Sequence, residues 1–200
     1  IKPQEWRLQD GLIPTVSLDL GVHLHMLIKY LSVERPKQVV ALSTNYGNFK
    51  NIIDNVNCLF KYTNNLSVSM WYGKTALGIR NGLKIRVFGT KGSAEWIQED
   101  PEKLKLGDSF GNITTIDRGS PNLSIANKNR YQRFKPGHPS GFIEAFANYY
   151  NDISQGLKNF KNSEYDEINE ESFGIEESME GLEMFEKISL SSQTGKWVDF

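Results

Sequence analysis

The sequence predicts an α+β fold: an open, predominantly antiparallel sheet with helices covering one face. Three observations predict it. Residues 56–72 alternate apolar and polar with a period of two, the connections between successive apolar runs are too short for parallel crossovers, and two long segments carry apolar residues at helical spacing.

The strand region runs from Lys37 to about Leu106. Val56, Cys58, Phe60 and Tyr62 alternate with Asn57 and Lys61, and Leu66, Val68, Met70 and Tyr72 alternate with Ser67 and Ser69. Between them, Thr63-Asn64-Asn65 is hairpin chemistry, because asparagine tolerates the left-handed backbone of tight turns. Asn81-Gly82 opens the run Leu83-Ile85-Val87, and Gly89-Thr90-Lys91-Gly92 turns it into Ser93 to Ile97. Leu59, Trp71 and Phe88 fall on the other face, which would make an uncovered partner surface. Gly107 to Asn129 is rich in Gly, Asn and Ser and reads as a long loop with one short strand at Ile113 to Ile116. A helix begins near Ser140, its expected N-cap, and carries Phe142, Phe146, Tyr149 and Ile153. A second runs from about Gly174 to Ser191 with Ile175, Met179, Leu182, Phe185 and Ile188 on one stripe. After Gln193-Thr194-Gly195 comes a last short strand, Lys196 to Phe200.

Composition bounds the function. At 200 residues, 38% hydrophobic and 24% charged, the chain is an ordinary globular domain that can form a core without staples. Its longest aliphatic run is Val39-Val40-Ala41-Leu42, too short for a membrane span. A net charge of −1 gives no basic excess for nucleic acid. The single cysteine, Cys58, rules out an internal disulfide and fits a reducing, cytoplasmic compartment. The neutral total hides ten carboxylates between Asn162 and Glu186 with no Lys or Arg among them. They read as a solvated loop followed by the outer face and first turn of a helix, where the dipole favours negative charge, with an acidic docking strip as the alternative.

The densest group of reactive side chains is Ser17-Leu18-Asp19-Leu20-Gly21-Val22-His23-Leu24-His25-Met26. Residues 16–25 alternate like a strand, whereas Met26 to Leu31 looks helical. On a strand, Asp19, His23 and His25 would share one face. On a helix, Asp19 and His23 stack at i,i+4 and His25 points about 200° away from His23. Two histidines and an aspartate could ligate a metal, but the pattern is unspecific, and none is expected. Acid–base chemistry suits the pair better: an imidazole titrating near neutrality beside a carboxylate can move a proton off a hydroxyl.

Trp6-Arg7-Leu8 followed by Asp19-x-Gly21-x-His23 at the head of an apolar helix resembles the start of the C-terminal domain of the glucose–fructose oxidoreductase / inositol dehydrogenase / rhizopine-catabolism (Gfo/Idh/MocA) family. Asn81-Gly82-Leu83-x-Ile85-x-Val87-x-Gly89-x-x-Gly92-Ser93-x-Glu95-Trp96 is similar to that family's central strand pair. Gly137-His138-Pro139-x-Gly141-Phe142 through Asn148 resembles the loop and helix of its sugar-oxidising branch, and Ser191-Ser192-x-x-Gly195-Lys196-Trp197-Val198 its terminal signature. The chain departs from the pattern at Leu12-Ile13-Pro14-Thr15, where a glycine-rich turn is usual, and at Met26, where a second Asp is frequent.

The resemblance implies hydride exchange between NAD or NADP and a secondary alcohol or carbonyl of a sugar, cyclitol or nucleotide sugar. It settles the helix reading and implies Asp19 and His23 as catalytic residues, Arg7, Lys74 and His138 as substrate-binding ones, and His25 as packing. It also implies association through the open sheet face into a homo-oligomer. The family's Gly-x-Gly-x-x-Gly and Glu-Lys-Pro segments do not occur in these residues, and the chain opens on Ile1 rather than methionine. The expectation is therefore a single substrate-binding and oligomerisation domain, residues 1–200, from a protein whose nucleotide-binding domain lies elsewhere, with no tight NAD(P) binding and no turnover by this part alone. A non-catalytic carbohydrate-binding or assembly module on the same fold is the alternative.

Overall fold

The period-two residues form the centre of a four-stranded antiparallel sheet. In β2 (Asn55–Tyr62), Val56, Cys58, Phe60 and Tyr62 are buried while Asn57, Leu59 and Lys61 are exposed. It pairs on one side with β3 (Ser67–Gly73), in which Met70 and Tyr72 point inward, and on the other with β1 (Pro36–Thr44). The hairpin turn places Asn64 and Asn65 at φ 56° and 60°, the left-handed region expected of them. The strand order is β3-β2-β1-β8, with β8 (Val198–Asp199) against Gln38 and Val39.

The structure, a computed structural model, describes residues 4–32, 34–162 and 172–200. They fall into two units, Ile1–Gly78 with Phe173–Phe200, and Ile79–Ser172. In the first, helix α3 (Ile175–Thr194) lies against β1 and against helix α1 (Val22–Leu31). Val39, Val56, Phe60, Met70, Met184, Phe185 and Ile188 fill the core.

Helix α3 docks through a stripe that keeps Phe185 and Ile188 of the expected one but departs from it in the first turns. Gly181, Met184, Phe185 and Ile188 are buried, but Ile175 and Met179 are 77% and 60% exposed. The reason is Gly181, where a Cβ would lie 2.8 Å from His25 Cδ2: the bare backbone there is what admits α1. Two serines finish the packing. Ala41 and Ser43 lie beyond the short reach of β8, and their N–H groups donate to Ser191 Oγ at 3.0 Å and Ser192 Oγ at 2.9 Å. Ser191 in turn donates to the carbonyl of Lys196 at 2.6 Å, across the left-handed Gly195 that ends α3.

The second unit contains a separate antiparallel sheet in the order β4 (Lys84–Gly89), β5 (Gly92–Ile97), β6 (Lys103–Asp108) and β7 (Ile113–Asp117). The strands expected as one meander are thus shared between two four-stranded sheets. Helix α2 (Phe142–Lys161) starts one residue later than expected. Gly141 is its N-cap, not Ser140, because Glu144 Oε2 accepts the Gly141 N–H at 2.9 Å and closes the first turn from inside. The stripe Phe142, Phe146, Tyr149 and Ile153 stays 39–75% exposed, and the buried residue of α2 is Asn148.

Of the acidic run, Glu164, Asp166, Glu167, Glu170 and Glu171 lie outside the described residues. Glu176 and Glu177 stand in the first turn of α3, as the solvated-helix reading expects. Glu180 faces α1 instead, with Lys29 Nζ at 2.8 Å and Arg35 Nε at 3.4 Å.

Candidate active site

Residues 17–25 are helical, beginning with a wide π turn (Ser17–Gly21) that runs into α1. Single π turns are rare and frequently mark functional positions. Here the turn is pinned from below: Ser17 Oγ and Tyr72 Oη are 2.8 Å apart in the core. Burial pushes the Tyr72 phenol well above its ordinary range, so it remains an O–H group. Gly21 sits on the same side, where a Cβ would be 2.8 Å from Phe185 Cε1 and 3.2 Å from Tyr72 Cζ.

With Ser17 and Gly21 facing inward, Asp19 is carried to the outer side of the turn. Its carboxylate is shared between two cations: Arg7 Nη2 donates to Oδ1 at 2.9 Å and Lys74 Nζ to Oδ2 at 2.7 Å. Arg7 comes from the 3-10 turn Glu5–Leu8, its guanidinium over the Trp6 ring at 4.9 Å. Lys74 follows β3 directly, and its own N–H is anchored on the Asp54 carbonyl at 2.8 Å. Tyr72 and Lys74 are two apart on one extended segment, so the strand that holds Ser17 also delivers the ammonium to Asp19.

His23 is exposed on α1, one turn beyond Asp19. Asp19 directs both oxygens at Arg7 and Lys74, and His23 is not among its hydrogen-bond partners in the described residues. His25 is buried: its Nε2 lies 3.0 Å from the Glu177 carbonyl and its ring meets Phe185 edge-on. It joins α1 to α3 and is a packing residue. Among the described residues no three His, Cys, Asp or Glu side chains are grouped to hold a metal.

The surrounding loops are built on two aspartates that the sequence did not single out. Asp10 accepts the Thr15 N–H and hydroxyl and the Ile53 N–H; buried Asp54 accepts the N–H groups of Tyr46 at 2.9 Å and Gly47 at 2.7 Å. The visible signal was only an aspartate beside a turn, a pattern too common to single out.

His138 belongs to the second unit. It is exposed, with Nδ1 3.2 Å from the Lys135 carbonyl, in a loop held by Arg118.

A dinucleotide's pyrophosphate is ordinarily cradled by a glycine-rich turn at an open helix N-terminus. The residues described do not fit that role. Glu144 closes α2, Glu177 closes α3 by accepting the Gly174 N–H at 2.8 Å, and the Val22 N–H heading α1 is taken by the Ser17 carbonyl.

Residues 2–95 match the family model described as GFO/IDH/MocA C-terminal domain, and the α+β arrangement of antiparallel sheets and helices is the fold of the solved structures that the chain resembles. The chain is 29% identical over 211 residues to the "Uncharacterized oxidoreductase YfiI" of Bacillus subtilis (strain 168), covering 98% of this chain and 51% of that protein. It is similar to the inositol dehydrogenase homolog from Azotobacter vinelandii. The complex of that protein with NAD+ matches at 25% identity and TM-score 0.82, covering 92% of this chain and 48% of that one. Its complex with NADH and myo-inositol matches at 24% identity and TM-score 0.84, covering 91% and 49%. The chain thus spans about half the length of the relatives it matches.

Proposed function

We propose that this chain is the substrate-binding half of an NAD(P)-dependent oxidoreductase acting on a secondary alcohol or carbonyl of a sugar, cyclitol or nucleotide sugar. The observation that carries the reading is the Arg7–Asp19–Lys74 clamp beside exposed His23. The nicotinamide cofactor supplies hydride exchange when bound; its pyrophosphate is held by residues outside those described. What this chain supplies is proton handling and substrate positioning. His23 takes the proton from the reacting hydroxyl in oxidation and returns it in reduction, at an imidazole nitrogen. Asp19, engaged on both oxygens by Arg7 and Lys74, fixes the two cations one turn before His23. Arg7 and Lys74 keep further N–H groups for substrate oxygens. Leu59 and Trp71, exposed on the sheet of the first unit, support association into a homo-oligomer, whereas Phe88, expected on the same face, lies on the separate sheet of the second unit; the domain is read as cytoplasmic.

The experiment is His23→Ala in the full-length protein. Cofactor reduction should fall about 10²–10⁴-fold, the usual worth of a general base, with an unchanged far-UV circular dichroism spectrum. Turnover that survives the substitution would remove His23 from the chemistry and favour the non-catalytic module.

A further inference from the structure

The cations at Asp19 outnumber the carboxylates that could balance them. In the described residues Arg7 and Lys74 form ion pairs with Asp19 and with no other side chain, so one carboxylate is set against two cations and a unit of positive charge is left over. The other two carboxylates of these loops are taken up by the backbone: Asp10 accepts from Thr15 and Ile53, and Asp54 from Tyr46 and Gly47. The excess charge is partly open to solvent, with the Arg7 and Lys74 side chains 39% and 30% exposed. His23, on the next turn, is exposed as well.

Both cations are held in place and under-used. Arg7 reaches Asp19 through Nη2 alone; its Nε is buried without an acceptor in the described residues, and Nη1 makes no hydrogen bond there. A guanidinium carries five N–H donors in a planar fork, and two of them side by side match a carboxylate or a phosphate. The Trp6 ring backs the guanidinium at 4.9 Å, and the Lys74 backbone is fixed by its N–H on the Asp54 carbonyl at 2.8 Å, so both cations lose little freedom when a ligand arrives. A neutral polyol needs acceptors as well as donors, because each of its hydroxyls both gives and takes a hydrogen bond. This cluster offers chiefly donors and positive charge, the complement of an anion.

We infer that the substrate carries an anionic group, a carboxylate or a phosphate, which docks on Arg7 and Lys74 beside His23. The inference rests on the active site proposed above and narrows its substrate class. Sugar acids, sugar phosphates or nucleotide sugars are the better substrates, and neutral sugars and cyclitols the poorer ones.

The test compares kcat/KM in the full-length protein at saturating NAD+ or NADP+. The neutral probes are myo-inositol and D-glucose; D-glucuronate carries a carboxylate, D-glucose 6-phosphate a phosphate and UDP-glucose a diphosphate. At least one anionic sugar should exceed both neutral probes by about tenfold, the worth of one charge-assisted hydrogen bond, and the arm that does so identifies the anion. Its kcat/KM should fall as NaCl is added, because salt screens exposed charges, while the neutral probes are unaffected. Lys74→Gln and Arg7→Gln should each narrow the preference for that sugar about tenfold. An effect passed through Asp19 or through folding would lower every probe alike and leave the preference intact. A neutral probe used as well as the anionic ones, or better, overturns the inference and leaves the proposed activity standing. A preference that survives both substitutions overturns it too. Should neither variant fold, the salt series on the parent decides, and a kcat/KM for the preferred anion that does not fall with NaCl overturns the inference. No oxidation of any probe overturns the proposed activity, and the inference falls with its premise.

Discussion

Gly21 sits between the two residues proposed to do the chemistry, and replacing it tests how the core holds them. A methyl group at Gly21 would stand 2.8 Å from Phe185 Cε1, 3.1 Å from Phe185 Cζ and 3.2 Å from Tyr72 Cζ. Neither ring can retreat. Phe185 is fully buried and in edge contact with His25, and Tyr72 is tied through its hydroxyl to Ser17. Overpacking of this kind costs about 1–3 kcal/mol. Alanine recovers up to about 1 kcal/mol as the better helix former. The expected net effect of Gly21→Ala is therefore a loss of roughly 1–2 kcal/mol, read from the urea midpoint at constant m-value. Phe185→Leu in the same chain should relieve the clash, so that the pair is less destabilised than the sum of the singles by about 1 kcal/mol. A Gly21→Ala variant as stable as the parent, or more so, would refute the argument that the π turn is held by close contact with Phe185 and Tyr72.

Tyr72→Phe should cost about 1–3 kcal/mol by leaving the Ser17 hydroxyl buried without its partner, and Tyr72→Phe with Ser17→Ala should cost less than the two singles together, by denaturant titration. Glu177 has its carboxyl held below the usual range, chiefly by backbone N–H groups of Glu177 itself and Gly174. A carboxylate with a lowered folded-state pKa stabilises above its unfolded value and loses that contribution as pH falls through the folded one. The stability gap between the parent and Glu177→Gln should be present at pH 7, shrink from about pH 4.3 downward, and close below the lowered pKa. A gap independent of pH would show that the α3 cap does not depend on charge.

The sheet of the first unit was legible because one face is buried. Val56, Cys58, Phe60 and Tyr62 must point the same way, and a slip of one residue would bury Asn57 and Lys61. The hairpins were legible from asparagine and glycine. Helix faces were less so. Docking of α3 depends on Gly181, a residue with no hydrophobic signal, and on what approaches it from a segment more than 150 positions away in the chain. Arg118 and Asp54 were illegible for a related reason. Apart from Glu102 beside Arg118, their partners are backbone groups, and any residue type can supply a carbonyl or an N–H. The Arg7–Asp19–Lys74 clamp was visible only as three separately named residues, since nothing local brings positions 7, 19 and 74 together.

The apparent conflict at residues 16–25 has a physical resolution. Apolar residues at 16, 18, 20, 22 and 24 suggested a strand, but the segment is helical, and its sides are marked by polar and small residues spaced by four. Ser17, Gly21 and His25 are all buried, whereas Leu18 is 41% exposed. Asp19 and His23 form the opposite row. On a straight α-helix each step of four overshoots a full turn by about 40°, so either row would wind off its face within two or three steps. A wider i→i+5 turn at the start takes up part of that overshoot. The π turn is thus what allows Ser17, Gly21 and His25 to share the core side while Asp19 and His23 remain together on the other. Its requirements are local and stringent: a hydroxyl small enough to reach Tyr72, no side chain at position 21, and an imidazole that can bond a carbonyl of α3. The geometry at Asp19 and His23 is therefore set from the buried side of the turn, by Ser17, Gly21 and His25.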